Sequence, residues 1–159
     1  MLAWLTQTTV GKLLQTFFIS MIPVAELRVG IPYGVSLGLE YHAAALAAVL
    51  GNLFPVPMII MYVRQFFRWL RRRSARLDSW ISGMEEKAEK KGEKVRRYGA
   101  IGLILLVAIP LPGTGAWTGA LVAAVLGMKT RHALPPIALG VMIAAAIVLG
   151  VTYGVSTVF

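Results

Sequence analysis

Two opposite charges, Glu26 and Arg28, interrupt an apolar stretch that covers residues 13–39. A charge at the centre of a membrane-inserted helix costs about 2.5–3.5 kcal/mol, so such residues usually pair or face a water-filled path. Side chains at positions i and i+2 point apart on a helix but the same way along an extended segment. An unwound segment would therefore let both share one polar cavity, where Glu26 could exchange a proton and Arg28 could bind substrate. The alternatives are a structural ion pair and a shallow segment whose charges reach the lipid headgroups.

A turn-forming motif occupies residues 110–119 and reads Pro-Leu-Pro-Gly-Thr-Gly-Ala-Trp-Thr-Gly. Its glycines permit sharp turns, and Thr114 is expected to cap a helix that begins there. The free amides of such a helix N-terminus favour an anion, so we expect a carboxylate or phosphate between this turn and Arg28. A tight loop without a ligand is the alternative. The predicted binding residues are Glu26, Arg28, Gly30, Pro112, Gly113, Thr114, Gly115 and Trp117.

The composition indicates that these residues belong to a protein embedded in lipid. Hydrophobic residues make up 57% of the 159 residues and charged residues only 14%, against roughly 25% charged in a soluble domain. There is no cysteine, and the two histidines have no neighbouring constellation of carboxylates, so no metal site is predicted. No nucleophile is paired with a base either. We therefore expect no enzyme, no catalytic residue and no cofactor.

Four apolar blocks, at residues 13–39, 43–63, 100–128 and 133–159, must position the candidate residues. The second and fourth are long enough for ordinary transmembrane helices, which need about 20 residues. The first and third contain helix breakers, Pro23 and Pro32 in one and Pro110 with the following turn in the other. Broken backbone in lipid must be buried in protein or line a cavity. These two blocks are predicted to be re-entrant helical hairpins, with proline-kinked single spans as the alternative.

The breaker pattern repeats along the chain, which suggests two related halves. A shift of 89 positions superimposes proline on proline and glycine on glycine at residues that control backbone shape. The matched pairs are Pro23 with Pro112, Gly30 with Gly119, Gly38 with Gly127, and Gly51 with Gly140.

A basic segment separates the halves, and 12 of the 16 lysines and arginines lie between Arg64 and Arg97. Such charge is typical of cytoplasmic segments beside membrane spans rather than of nucleic-acid binding, which we do not expect. An interfacial helix is predicted for its apolar positions up to Met84, and a solvated helical linker from Glu85. If this segment is cytoplasmic, half two is half one inverted. The predicted fold is therefore an all-α, multi-pass cell-membrane protein with one domain, 1–159, comprising half one (13–63), a basic linker (64–98) and half two (99–159).

The two motifs, residues 22–32 and 110–119, resemble those of the small multidrug export protein family of bacteria and archaea. The resemblance covers nearly the whole chain. It implies a transporter-like fold and proton coupling. That family is more distantly similar to the DedA (VTT-domain) superfamily, whose members have paired re-entrant hairpins and include lipid-phosphate transporters and lipid scramblases.

These observations predict a small, proton-coupled secondary transporter with an anion-friendly central site. A DedA-like lipid scramblase or lipid-phosphate translocase is one alternative, and a non-transporting membrane scaffold is another. The expected partners are membrane lipids, a small-molecule or lipid substrate, and a second copy of the chain. A dimer is expected because two hairpins and two spans enclose little protein to shield broken backbone.

Overall fold

The computed structural model describes residues 8–111 and 113–158, and this part of the chain is helical with no strand. Pro112, one of the predicted binding residues, lies outside it. Two helical stretches are long and apolar enough to cross a membrane, Tyr41–Arg71 and Thr130–Val155. The helices are α1 Thr9–Met21, α2 Glu26–Ser36, α3 Tyr41–Leu53, α4 Val56–Arg71, α5 Ala75–Tyr98, α6 Ala100–Ala108, α7 Ala116–Val125 and α8 Thr130–Val158.

Proline acts differently at its three predicted break points. Pro23 lies in the connection of residues 22–25 between α1 and α2, and Pro110 follows the end of α6. Pro32, in contrast, lies inside α2, which continues to Ser36, so its prediction as a breaker is wrong. A proline removes one helical hydrogen bond, and here the turns on both sides hold the helix together. Pro55, which we did not single out, separates α3 from α4.

In each half, the candidate membrane span packs closely on the first helix of the broken pair. In half one α3 lies against α1, and in half two α8 lies against α6. Gly51 of α3 leaves no room for a Cβ atom, which would overlap the main-chain carbonyl of Phe17 in α1. A Cβ on Gly140 of α8 would lie 2.7 Å from the Cβ of Val107 and 2.9 Å from the carbonyl of Ile104. The 89-residue offset therefore relates two glycines that do the same packing work.

The same offset relates the ends of α2 and α7. Each helix closes with a glycine in the left-handed conformation, Gly38 with φ 82° and Gly127 with φ 70°. That conformation costs a glycine little and lets the final carbonyls accept hydrogen bonds. Three such bonds recur with identical spacing: residues 37, 38 and 39 donate to residues 33, 35 and 34, and residues 126, 127 and 128 donate to residues 122, 124 and 123.

The basic segment is not a solvated linker. α5 runs unbroken through Tyr98 and packs on α6 and α7, with Ile81, Ala88 and Val95 buried at helical spacing. The predicted interfacial helix is also divided, because α4 ends at Arg71 and α5 begins at Ala75. The buried apolar residues form a narrow stripe among many alternating charges. The sequence pattern therefore predicted a solvent-exposed helix.

We predict that Gly51→Ala destabilises the protein by about 1–3 kcal/mol, because a backbone carbonyl cannot move aside as a side chain can. The matched control is Gly150→Ala in α8, where no atom of the described residues lies within 4 Å of the added Cβ. It should change the free energy of unfolding by less than about 1 kcal/mol. Denaturant unfolding in detergent micelles measures both. Equal effects of the two substitutions would contradict the close α1–α3 packing.

Candidate functional site

The two broken pairs meet where their connections face each other. Residues 22–25 join α1 to α2, and residues 109–115 join α6 to α7. A helix that ends inside a protein leaves carbonyls and amides without helical partners, and these must be satisfied by other groups. In this protein, side chains from each pair bond the free backbone groups of the other.

Glu26 begins α2 and is only 4% exposed. Its Oε1 accepts a hydrogen bond of 3.4 Å from the main-chain N–H of Trp117, in the first turn of α7. Its backbone is in the left-handed region, with φ 48°. A non-glycine residue there is uncommon, and such strain persists only where the surroundings enforce it. The carboxylate is thus directed at the N-terminus of α7 at a cost in backbone energy.

Gly115 makes this approach possible. It precedes α7 with φ 118° and ψ −169°, a combination that is almost confined to glycine. A Cβ at this position would overlap the carboxylate of Glu26. The glycine therefore serves both the turn and the close contact.

Arg28, in the same helical turn as Glu26, binds the opposite kind of backbone group. Its guanidinium donates to the carbonyl of Leu111, to the carbonyl of Thr114 at 2.9 Å and to the Thr114 hydroxyl at 3.0 Å. Hydrogen bonds from a charged donor are about twice as strong as neutral ones. Arg28 therefore fixes the connection between α6 and α7.

A side chain of the second half, Trp117, also bonds the backbone of the first half. Its indole N–H donates to the carbonyl of Met21 at 3.1 Å. Met21 is the last residue of α1, where a carbonyl has no partner within its own helix. Lys91 of α5 also donates to the carbonyl of Gly113. The sequence carried no signal for either bond, because the partners are backbone atoms distant along the chain.

Three details of the predicted site are wrong. The segment that carries Glu26 and Arg28 is helical rather than extended, and among the described residues Glu26 forms no ion pair. Thr114 does not cap α7, because its hydroxyl turns back to the carbonyls of Ile109 and Leu111 at 2.6 and 2.7 Å. Gly30 does not reach the turn and instead packs α2 against Ser20 of α1.

The place where a bound anion was expected, the N-terminus of α7, is taken by a side chain of the protein itself. Glu26 supplies the carboxylate that the free amides and the helix dipole attract. Arg28, the other expected anion-binding group, is occupied by carbonyl and hydroxyl oxygens. The described residues contain no cluster of histidine, aspartate and glutamate that could hold a metal ion.

An apolar cavity of about 390 Å³ lies beside this contact, between α4, α5 and α7. Pro23, in the connection between α1 and α2, and Trp117, in the first turn of α7, both line it. Pockets of this size and character accept drug-sized apolar ligands. Its walls are Pro23, Ile59, Val63, Phe66, Phe67, Met84, Trp117, Thr118 and Leu121.

Comparison with known proteins gives one family and nothing closer. No curated protein and no solved structure matches the chain. A family model described as "Putative small multi-drug export protein" matches residues 26–147, most of the chain, and this range includes Glu26, Arg28, Gly115 and Trp117. The chain therefore belongs to the small multi-drug export protein family.

Proposed function

We propose that this protein is a proton-coupled exporter of lipophilic compounds in which Glu26 carries the proton. The family and the two apolar helices indicate a membrane transporter. The observation that supports the finer proposal is the buried Glu26 carboxylate at the α7 N-terminus, beside an apolar cavity. Buried ionisable groups within membrane proteins are commonly proton or substrate sites.

The short helices support re-entrant hairpins as the architecture of both halves. At 1.5 Å per residue, α6 and α7 are each only about 14–15 Å long, roughly half the thickness of a bilayer core. Neither can cross alone, whereas a pair that enters and returns needs only half the depth. We propose that the connections meet near the midplane, as in transporters built from inverted repeats.

Protonation of Glu26 is the proposed switch. The ionised carboxylate is attracted to the free amides and positive end of α7, and the neutral acid loses most of that attraction. The bonds made by Arg28 and by the Trp117 indole do not involve the Glu26 carboxyl group, so they would hold the two pairs together while the Glu26 contact opens. Proton binding on one face and release on the other would then move the connections relative to each other.

We propose lipophilic cations and neutral compounds as substrates. The cavity is lined by aromatic and aliphatic side chains, and aromatic faces also attract cations. An anion, which the sequence favoured, would have to displace the Glu26 carboxylate from α7. A cation could instead compete with the proton for Glu26, which is the requirement for antiport.

Dye flux in sealed vesicles tests this function. Protein reconstituted into liposomes with an imposed pH gradient should drive ethidium, a lipophilic cation, toward the acidic side, and a protonophore should abolish the movement. Anilinonaphthalene sulfonate, a lipophilic anion, should not accumulate. Movement of the anion alone would replace the cation assignment with the anion site. Gradient-independent exchange of labelled phospholipid, without dye flux, would favour the lipid scramblase.

Single cysteines test the inverted architecture, and the natural absence of cysteine makes the labelling specific. We predict that Cys at the exposed positions Ser79 and Lys129 reacts only from the cytoplasm, whereas Cys at exposed Ser36 reacts from outside. The reason is that the basic segment should stay in the cytoplasm and the hairpins should open to opposite sides. A membrane-impermeant maleimide on intact cells distinguishes them. Labelling of Ser36→Cys and Lys129→Cys from the same side would overturn the inverted repeat.

A further inference from the structure

A second, polar crevice of about 340 Å³ lies on another side of α4, where it faces the end of α7. Arg64, Gln65 and Arg68 line it from α4, and Gly127 lines it from the turn after α7. A Cβ added to Gly127 would lie 3.5 Å from Nη1 of Arg64, so this guanidinium reaches the turn. The crevice is separate from the Glu26 contact and shares no lining residue with the apolar cavity.

Its two arginines lack carboxylate partners. Arg64 and Arg68 are one helical turn apart on the same face, and neither forms an ion pair with any residue that the structure describes. Arg71, one turn further, is bound by Asp78 at 3.0 Å and by Glu85. Like charges at this spacing repel, so an anion between them would stabilise the crevice.

The surface next to the arginines is apolar and open. Met58 and Met61 precede Arg64 at helical spacing on the same face of α4, and each is 58% exposed. Met61 also lines the crevice, so the polar and apolar surfaces are continuous. This arrangement occurs where the candidate span passes from its apolar part into the basic segment.

We propose that this crevice binds an anionic phospholipid, with the phosphate between Arg64 and Arg68 and an acyl chain along Met61 and Met58. A free phosphate would use only the arginines and would leave the apolar surface bare. Basic pockets between helices at the cytoplasmic interface are a recognised means of binding anionic headgroups. The proposal does not depend on Glu26 or on the substrate.

Native mass spectrometry of the purified protein, titrated with phosphatidylglycerol and with phosphatidylcholine of the same chains, tests it. Removing both charges in Arg64→Gln/Arg68→Gln should weaken phosphatidylglycerol binding by about 30-fold, since each basic residue near a lipid surface contributes roughly fivefold. The control Arg72→Gln/Arg76→Gln removes the same charge from the same segment outside the crevice, and should change binding by less than about threefold. Arg64→Lys/Arg68→Lys keeps the charge and should retain most of the affinity.

Three results would overturn the proposal. One is equal loss of phosphatidylglycerol binding in both charge-removing variants, which would mean a diffuse electrostatic effect. Another is equal binding of phosphatidylcholine and phosphatidylglycerol. The last is displacement of the lipid by inorganic phosphate at low concentration, which would identify a free-anion site. Because all four arginines are exposed, loss of folding is not expected in either charge-removing variant.

Discussion

Gly115→Ala is expected to destabilise the protein by about 3–5 kcal/mol and to break the contact between Glu26 and the N-terminus of α7. The alanine would be forced into a backbone conformation that is nearly confined to glycine, and its Cβ would overlap the Glu26 carboxylate. This overlap is removed only if the Glu26 side chain moves away from the α7 N-terminus. The main-chain N–H of Trp117 then loses its hydrogen bond as well. Denaturant unfolding in detergent micelles measures the loss.

Two controls separate strain from collision in this experiment. Gly99 also has a positive φ, 57°, but no atom in the described part of the chain lies within 4 Å of an added Cβ, so Gly99→Ala reports backbone strain alone. A double-mutant cycle with Glu26→Ala removes the carboxylate with which the new Cβ collides. Gly115→Ala should then cost less in the Glu26→Ala background. An identical cost in both backgrounds would show that the carboxylate does not lie at α7.

The sequence predicted helix ends and close helix contacts where proline and glycine determine the backbone conformation. Pro23 and Pro110 mark connections, and the glycine pairs at the 89-residue offset occupy matching packing and capping positions. Pro32 was wrongly predicted to break the helix. A proline in the sequence shows where one helical hydrogen bond is lost, but not whether the bonds of the neighbouring turns are enough to keep the helix continuous. The packed face of α5 was missed because only three small or branched apolar residues define it among many charges.

The site was predictable in its membership but not in its connections. Glu26, Arg28, Gly115 and Trp117 were all singled out, because charges and glycines are expensive or unusual in an apolar run. Which group meets which could not be derived, since the first two residues reach backbone atoms more than 80 positions away. Sequence reasoning therefore placed an outside anion where the protein supplies its own carboxylate.

Buried Asn52 shows the same limit. It is 1% exposed in α3, and its Oδ1 has no hydrogen-bond partner among the described residues. Amides inside membrane spans commonly bond a neighbouring helix, but no described residue bonds this oxygen. Buried side-chain amides usually form hydrogen bonds. The unbonded Oδ1 of Asn52 therefore lowers the stability of the half-one core.

Glu26→Gln is expected to uncouple transport from the proton gradient while leaving the fold intact. The glutamine amide oxygen can still accept the Trp117 N–H bond but, like the protonated acid, it lacks the charge that attracts the α7 N-terminus, so the free energy of unfolding should fall by about 1 kcal/mol. Titration is lost, and with it the exchange of proton for substrate. Glu40→Gln is the matched control, because Glu40 is exposed and, among the residues that the structure describes, pairs only with exposed His42 at 2.9 Å.

Proton-driven ethidium flux, compared among wild-type protein, Glu26→Gln and Glu40→Gln in the same liposomes, tests the central claim most directly. The proposed mechanism predicts that wild type and Glu40→Gln accumulate ethidium on the acidic side, whereas Glu26→Gln gives only the leak of protein-free vesicles at every gradient. If well-folded Glu26→Gln responds to the gradient as wild type does, Glu26 does not carry the proton, and its contact with α7 is solely structural.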